Sequence, residues 1–157
     1  MASAQSGKSP TISASLPIGK YRLDMSIEGL TGLTEFSQSE YATFGREFEG
    51  EKDYNGPALD FLNRRWKVAL GTVRGRVFKI ALYFDTDSKA TAVDTSTDVM
   101  QLCQQHFGKA PEQHDTVFIW HASDGNVVVQ FGKTMGTYQL NLFETSKTVK
   151  TFAPRRP

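Results

Sequence analysis

Between Trp66 and Phe84 the chain reads WKVALGTVRGRVFKIALYF, and no other stretch limits the possible folds as tightly. Trp66, Val68 and Leu70 alternate with Lys67, Ala69 and Gly71, and Phe78, Ile80 and Leu82 alternate with Lys79, Ala81 and Tyr83. Period-two alternation across a Gly-containing break is the pattern of two strands with one dry face. The turn must keep both apolar rows together. A two-residue Arg74-Gly75 loop would set Leu70 against Lys79. A three-residue loop, Val73-Arg74-Gly75, pairs Leu70 with Phe78 and Val68 with Ile80 and places Gly75 at the left-handed position of a bulged turn. The expected inner face is therefore Trp66, Val68, Leu70, Phe78, Ile80 and Leu82.

A second alternating stretch, FIWHASDGNVVVQF, spans Phe118 to Phe131. A two-residue Asp124-Gly125 loop pairs Ala122 with Val127, Trp120 with Val129 and Phe118 with Phe131 on one side, leaving His121 opposite Val128 on the other. GKTMG reads as a hairpin loop, TYQLNLF as a strand with Tyr138, Leu140 and Leu142 inward, and KTVKTF as a short terminal strand. Between the two ribbons, TSTDVMQLCQQHFGKAP carries an apolar stripe of Val99, Leu102, Cys103, His106 and Phe107. Thr95 before Asp98 reads as its cap, and Gly108 and Pro111 close it. The expectation is an α+β fold: a mainly antiparallel sheet of two hairpins plus further strands, with one main helix at about 96–107 packed on one face.

The remainder is less patterned. Residues 1–17, rich in Ser, Ala, Gly and Pro, read as a flexible leader, residues 18–152 as one domain and 153–157 as a disordered tail. Ser26 before Ile27, Leu30 and Leu33 suggests a short helix interrupted by Gly29 and Gly32. In ATFGREFEGEKDYN, one parity holds Phe44, Arg46, Phe48, Gly50, Lys52 and Tyr54, and the other Glu47, Glu49, Glu51 and Asp53. The second row reads as the solvated acidic face of an edge strand. As a cation site it fails, because same-face residues of a strand stand about 6.6 Å apart in a row rather than converging.

Candidate chemistry is sparse. A net charge of +1 gives no pull toward nucleic acid or anionic lipid, and no apolar run is long enough to cross a bilayer. One cysteine excludes an internal disulfide. His106, His114 and His121 follow no metal-binding spacing, and no glycine motif marks a nucleotide cofactor, so no catalytic residue, metal or cofactor is assigned. His121, Ser123 and Asp124 belong to a turn and its flank, not to a nucleophilic relay. Cys103 and His106 could touch at i, i+3, but the stripe faces the core, giving a buried thiol and a rim histidine. The arginines of NRRW lack a stacking partner, since Trp66 is in phase with the core.

The stretches PIGKYRLDMSIEGLTGL, WKVALGTVRGRVFKIALYF and FGKAPEQHDTVFIWHASDGNVVVQF resemble families of small standalone bacterial proteins of uncharacterised function, over residues 17 to 152. Their pattern opens on G-M-S-x-E, where this chain has Asp24 for the glycine, and closes the helix on G-K-P, which Gly108-Lys109-Ala110-Pro111 spaces by one. The resemblance supplies no catalytic residue.

What remains is the sheet face away from the helix. Val77, Ala81, Tyr83, Val117, Ile119, His121 and Val128 are expected there as a semi-apolar surface, either covered by segment 30–62 or open to a protein partner or a second copy. The functional expectation is a non-enzymatic domain acting by protein binding or self-association, with no nucleic-acid or membrane partner. The alternative is a ligand pocket or enzyme site between the sheet and segment 30–62, lined by Glu40, Tyr41, Tyr54, Asp60, Arg64 and Arg65. A cytoplasmic location is expected, or an exported one if Met1 is not native, because Ala-Ser-Ala before Gln5 matches a small-residue cleavage site.

Overall fold

A computed structural model describes residues 13–40 and 46–156. Its strands are β1 (Thr34–Glu35), β2 (Glu51–Phe61), β3 (Arg64–Val73), β4 (Arg76–Thr86), β5 (Glu112–His114), β6 (Val117–His121), β7 (Gly125–Thr134) and β8 (Thr137–Ser146), with helix α1 (Lys89–Phe107) between β4 and β5. They form one antiparallel sheet in the order β1-β2-β3-β4-β8-β7-β6-β5. Two meanders, β2-β3-β4 and β5-β6-β7-β8, are thus zipped together along β4 and β8, with α1 crossing one face. This is the expected α+β architecture.

Three hairpins close on two-residue loops in which both residues are left-handed: Leu62-Asn63, Arg74-Gly75 and Met135-Gly136. Such loops match the twist of the strands they join. The Arg74-Gly75 loop corrects the three-residue turn expected from sequence. Val73 pairs with Arg76 and Thr72 with Val77, and then a bulge leaves Phe78 without a partner before Gly71 meets Lys79. Beyond the bulge Leu70 faces Ile80 and Val68 faces Leu82. The apolar rows are reunited by a bulge in the strand, not by a longer turn. Phe78 is thereby thrown to the opposite face, where it packs edge-on against Phe48 with Val73 and Val149. Val77 joins the helix-side core instead.

The second ribbon keeps its faces but not its register. Trp120 pairs with Val127 and Phe118 with Val129, two residues off the expected match, around a four-residue turn, Ala122–Gly125. A shift of two preserves parity, so Trp66 and Trp120 are both buried in the core with Val68, Leu70, Ile80, Leu82, Leu140 and Leu142. The inner face of α1 is Ala92, Thr95, Val99, Cys103 and Phe107.

The helix begins seven residues earlier than expected. Ser88 is the cap, accepting from the Thr91 amide, and Thr95 lies within the helix, its hydroxyl donating to the Thr91 carbonyl. Gly108 closes it in the left-handed conformation, as expected. The Ser26 segment forms a single 3-10 turn, Ile27–Gly29. KTVKTF is not a strand: Thr148–Thr151 is a 3-10 turn that buries Val149.

Both ends are more structured than composition implied. Of the expected leader, Ala14 and Leu16 are buried in the core. Of the expected tail, Ala153 is buried, Arg155 bridges Phe48 and the Arg156 amide donates to the Glu47 carbonyl. Residues 1–12 and Pro157, and with Tyr41 and Phe44 the segment 41–45, lie outside the described residues.

Gly125, the first residue of β7, leaves no room for a side chain: a Cβ there would stand 2.1 Å from the Thr145 carbonyl oxygen and 3.2 Å from Ala14 Cβ. Gly136 has φ +85° with open space around it. Gly125→Ala is expected to lower unfolding free energy by more than about 2 kcal/mol, and Gly136→Ala by about 1 kcal/mol from backbone strain alone. Urea titration of both variants checks the ordering, and equal losses would contradict the packing described.

Candidate functional site

The face opposite α1 is built by strand register. One row of cross-strand neighbours runs Asn55, Ala69, Ala81, Phe143, Val128, Ile119, Glu112. A flanking row runs Lys67, Tyr83, Asn141, Gln130, Val117, His114, and the other flank runs Asp53, Gly71, Lys79, Thr145, Asn126, His121. The face therefore has an apolar centre line between two mixed polar lines. Six of the seven residues expected on it are there: Ala81, Tyr83, Val117, Ile119, His121 and Val128. Val77 is not, because the Phe78 bulge turns it inward.

The two halves of this face differ in cover. Ala69, Gly71 and Ala81 on β3 and β4 are buried, while Phe143, Val128, Ile119 and Val117 on β8, β7 and β6 are half-buried. Tyr83 and Phe143 meet edge to face at 5.8 Å. At the Val73–Phe78 end the turn around Phe48 and the chain from Thr148 to Arg156 lie over the sheet. Of segment 30–62, the Phe48 turn is the part seen over this face among the described residues, and 41–45, with Tyr41 and Phe44, lie outside them. Leu30, Leu33, Leu59, Phe61 and Leu62 pack into the helix-side core.

The acidic row of β2 is the largest departure from expectation. Glu51 and Asp53 are not solvated. They are 2% and 0% exposed on the inner end of this face, and the strand starts only at Glu51, after a left-handed Gly50. Glu51 Oε1 accepts from the amides of Glu47 and Phe48 at 2.8 and 3.3 Å. Glu51 Oε2 and both Asp53 oxygens find no conventional donor among the described residues. A proton on Asp53 would supply a donor toward Glu51 and remove one of two like charges. Burial, then the hydrogen bond to Glu51 and its charge, push the Asp53 carboxyl well above its ordinary range, against the opposing pull of Lys79 and Arg46. The Tyr83 hydroxyl is pushed up to about 12 by burial and then by Asp53. Gly71 makes room for this cluster: a Cβ there would stand 3.1 Å from Asp53 Oδ1 and 3.2 Å from Lys79 Cε. Period-two reading placed these acids correctly on one parity and assigned that parity to water. The cue to the contrary is Phe48, which has the other parity but belongs to the turn before the strand.

At the far rim, Glu112 holds two histidines. His114 Nε2 lies 2.7 Å from its Oε1 and His121 Nε2 2.8 Å from its Oε2, while His121 Nδ1 lies 2.9 Å from Asn126 Oδ1. The hydrogen bonds from His114 and His121 hold the Glu112 carboxyl below the usual carboxylate range. His121 is engaged there and Asp124 elsewhere, with Ser13 and Ala14, so the Ser-His-Asp cluster of the sequence does not assemble. The Cys103 thiol is buried and pushed up to about 12 by burial and then by Glu144, the opposite of an activated nucleophile. Among the described residues no group of three or more His, Cys, Asp or Glu could hold a metal ion, and no helix is long and apolar enough to cross a membrane.

Of the residues expected to line a pocket beside segment 30–62, Tyr41 lies outside the described residues and the others do not converge. Arg64 pairs with Asp98 of α1 at 2.7 Å, Arg65 with Asp60 at the surface, and Glu40 with Asn55 and Ser37. Of the described residues in that expectation, only Asp60 is among those lining the cavity of about 380 Å³ between Gly19–Tyr21 and Pro57–Asp60. No protein-family model matches this chain, and comparison with curated proteins and with solved structures finds no match.

The acid pair predicts a pH dependence of definite sign. A carboxyl whose folded-state pKa lies above its unfolded value leaves stability intact below pH about 4, and stability is lost as pH rises toward the folded value. Asp53→Asn is therefore expected to change the melting temperature little at pH 4 and to raise it relative to wild type at pH 8. A fall at pH 8 would show that the ionised carboxylate is needed. His121→Ala is expected to cost no more than about 1 kcal/mol, since its side chain is 55% exposed and bonded only at the surface.

Proposed function

We propose that the protein is a binding module that pairs with a second copy of itself through the β8-β7-β6 half of the outer face. The observation that carries this reading is the half-buried row Phe143, Val128, Ile119, with Tyr83 and Val117 beside it, standing between Lys67 at one end and Glu112, bonded to His114 and His121, at the other. Exposed Lys67 marks the β3 end and Glu112 the β5 end. A two-fold axis near Phe143 and Val128 would bring each lysine end against the partner's glutamate end, so the surface is self-complementary in charge as well as apolar at its centre.

The edges of the sheet offer less. β1 has two residues and β5 three, and Pro57 interrupts β2 where β1 no longer pairs with it. Short or proline-bearing edges resist strand addition. Pairing by the face is the mode left to this fold. Its size sets the strength. Four strand spacings by about 20 Å is about 400 Å² per copy, below the ~800 Å² of a stable complex, so association is weak and concentration-dependent.

Sedimentation velocity from about 10 μM to about 1 mM is expected to show a rising average mass for the wild type. Phe143→Glu should abolish the rise without loss of folding, because the side chain is only half-buried. A wild type that stays monomeric throughout, or a Phe143→Glu chain that associates equally, would refute the proposal.

A further inference from the structure

The helix-side core has a second lid. Residues Ser13 to Ile18 run over the helix-side face beside the C-terminal end of α1, bending at Ala14 and turning at Pro17, where the Ile18 amide donates to the Leu16 carbonyl; Ala14, Leu16 and Ile18 are fully buried, Ser13 and Ser15 half-buried and Pro17 exposed. Burial alternates along it, yet among the described residues Ser13–Leu16 makes no backbone hydrogen bond to the sheet. Side chains of the body hold its main chain instead. Asp124 accepts from Ser13 Oγ at 2.6 Å and from the Ala14 amide at 2.8 Å. Glu144 accepts from the Leu16 amide. His106 Nε2 donates to the Ser13 carbonyl at 2.8 Å, and Ser15 Oγ accepts from the Leu23 amide at 3.0 Å.

We infer that this channel is a binding site for a short peptide segment, filled in cis by the chain's own Ser13–Ile18 and able to take the same segment from a second copy. Sockets for alternate side chains and polar partners for the main chain are the two parts of peptide recognition, and here the amides of Ala14 and Leu16 are the ones held. Here the polar groups are carboxylates and an imidazole, so the segment can leave without opening a strand ladder. Glu144 is the clearest sign that the site is built for a ligand. It stands in a cross-strand row of Leu70, Ile80, Val127 and Trp120, where a carboxylate has no packing role. It is completely buried, and its Oε2 has no partner among the described residues. Burial pushes its carboxyl up to about 8, against the Leu16 amide and Arg22. Specificity follows from the floor of the channel. Ala14 packs over Gly125, its Cβ 3.2 Å from where a Cβ at Gly125 would stand, while the Leu16 and Ile18 sockets hold large apolar side chains. The ligand class is small–polar–large–Pro–large with a turn at the proline, and Gly19 at φ +52° is the hinge at its end.

The test uses the full chain carrying Leu16→Asp, which empties the central socket, and a labelled peptide of sequence Thr11–Lys20. Saturable binding is expected, at least about tenfold tighter than for the same peptide carrying Leu16→Asp. The wild-type chain should bind more weakly, because its own segment competes at an effective concentration on the order of millimolar. Adding Asp124→Ala to the Leu16→Asp chain should weaken binding further. No binding to a folded Leu16→Asp chain, or equal binding of both peptides, would overturn the inference. If Leu16→Asp does not fold, hydrogen exchange of the wild type decides. The Leu16 amide should exchange through local opening, at least about 100-fold faster than the Leu142 amide, and equal rates would show a permanent part of the core.

Discussion

The pairing of β4 with β8 is the constraint on which the rest of the molecule depends. It joins two meanders that would each leave one strand edge and one apolar face unsatisfied. Its ladder runs unbroken from Lys79 opposite Thr145 to Thr86 opposite Tyr138. Because side chains alternate along a strand, this one register decides that Leu140, Leu142 and Glu144 point toward α1 and that Asn141, Phe143 and Thr145 point away. A slip of one residue would exchange the two sets, putting Phe143 in the core and Leu142 in water.

Everything of functional interest lies at places where that sheet is not covered by α1. A helix of 19 residues is about 28 Å long and cannot blanket one face of eight strands. On its own side the shortfall is made good by Ser13–Ile18, drawn down by Asp124, Glu144 and His106. On the other side the Phe48 turn and the C-terminal chain cover one end, and the strands from β8 to β6 keep a half-open apolar line. Three buried acids mark the boundaries of these covers. Glu144 meets the N-terminal segment, and the Glu51–Asp53 pair lies where the Phe48 turn folds back, its Oε1 taking two amides of that turn. In both places a carboxyl replaces a strand neighbour as the acceptor for loop amides, and in both the cost of burial is offset by protonation or by those hydrogen bonds.

The sheet, its antiparallel character, the helix and the burial of both tryptophans were legible in alternation alone. So was the placement of six residues on the outer face, since a register error of two leaves parity intact. What alternation does not encode is a bulge. Phe78 and Val77 exchange faces through one unpaired residue in β4, and no local signal separates that from a longer turn. The acids of β2 were misread for a related reason. Glu and Asp on one parity normally mean water, and only the tertiary return of the Phe48 turn makes them interior. The helix start was missed because Thr95 resembles a cap while serving as a buried mid-helix residue. Ala14 and Leu16 were hidden in a stretch whose composition is that of a leader. Two apolar residues become significant only when Glu144, 128 positions further on, reaches the amide between them.

The most direct measurement of the central claim is thiol accessibility along β8, with native Cys103 as internal reference for a buried sulfur. In the folded protein a cysteine at Phe143→Cys should react with a water-soluble disulfide reagent within seconds to minutes, while one at Leu142→Cys, like Cys103, should react only as the protein unfolds. The reverse order, or equal reactivity at both positions, would mean that β4 and β8 pair in a different register and that neither face has been correctly assigned.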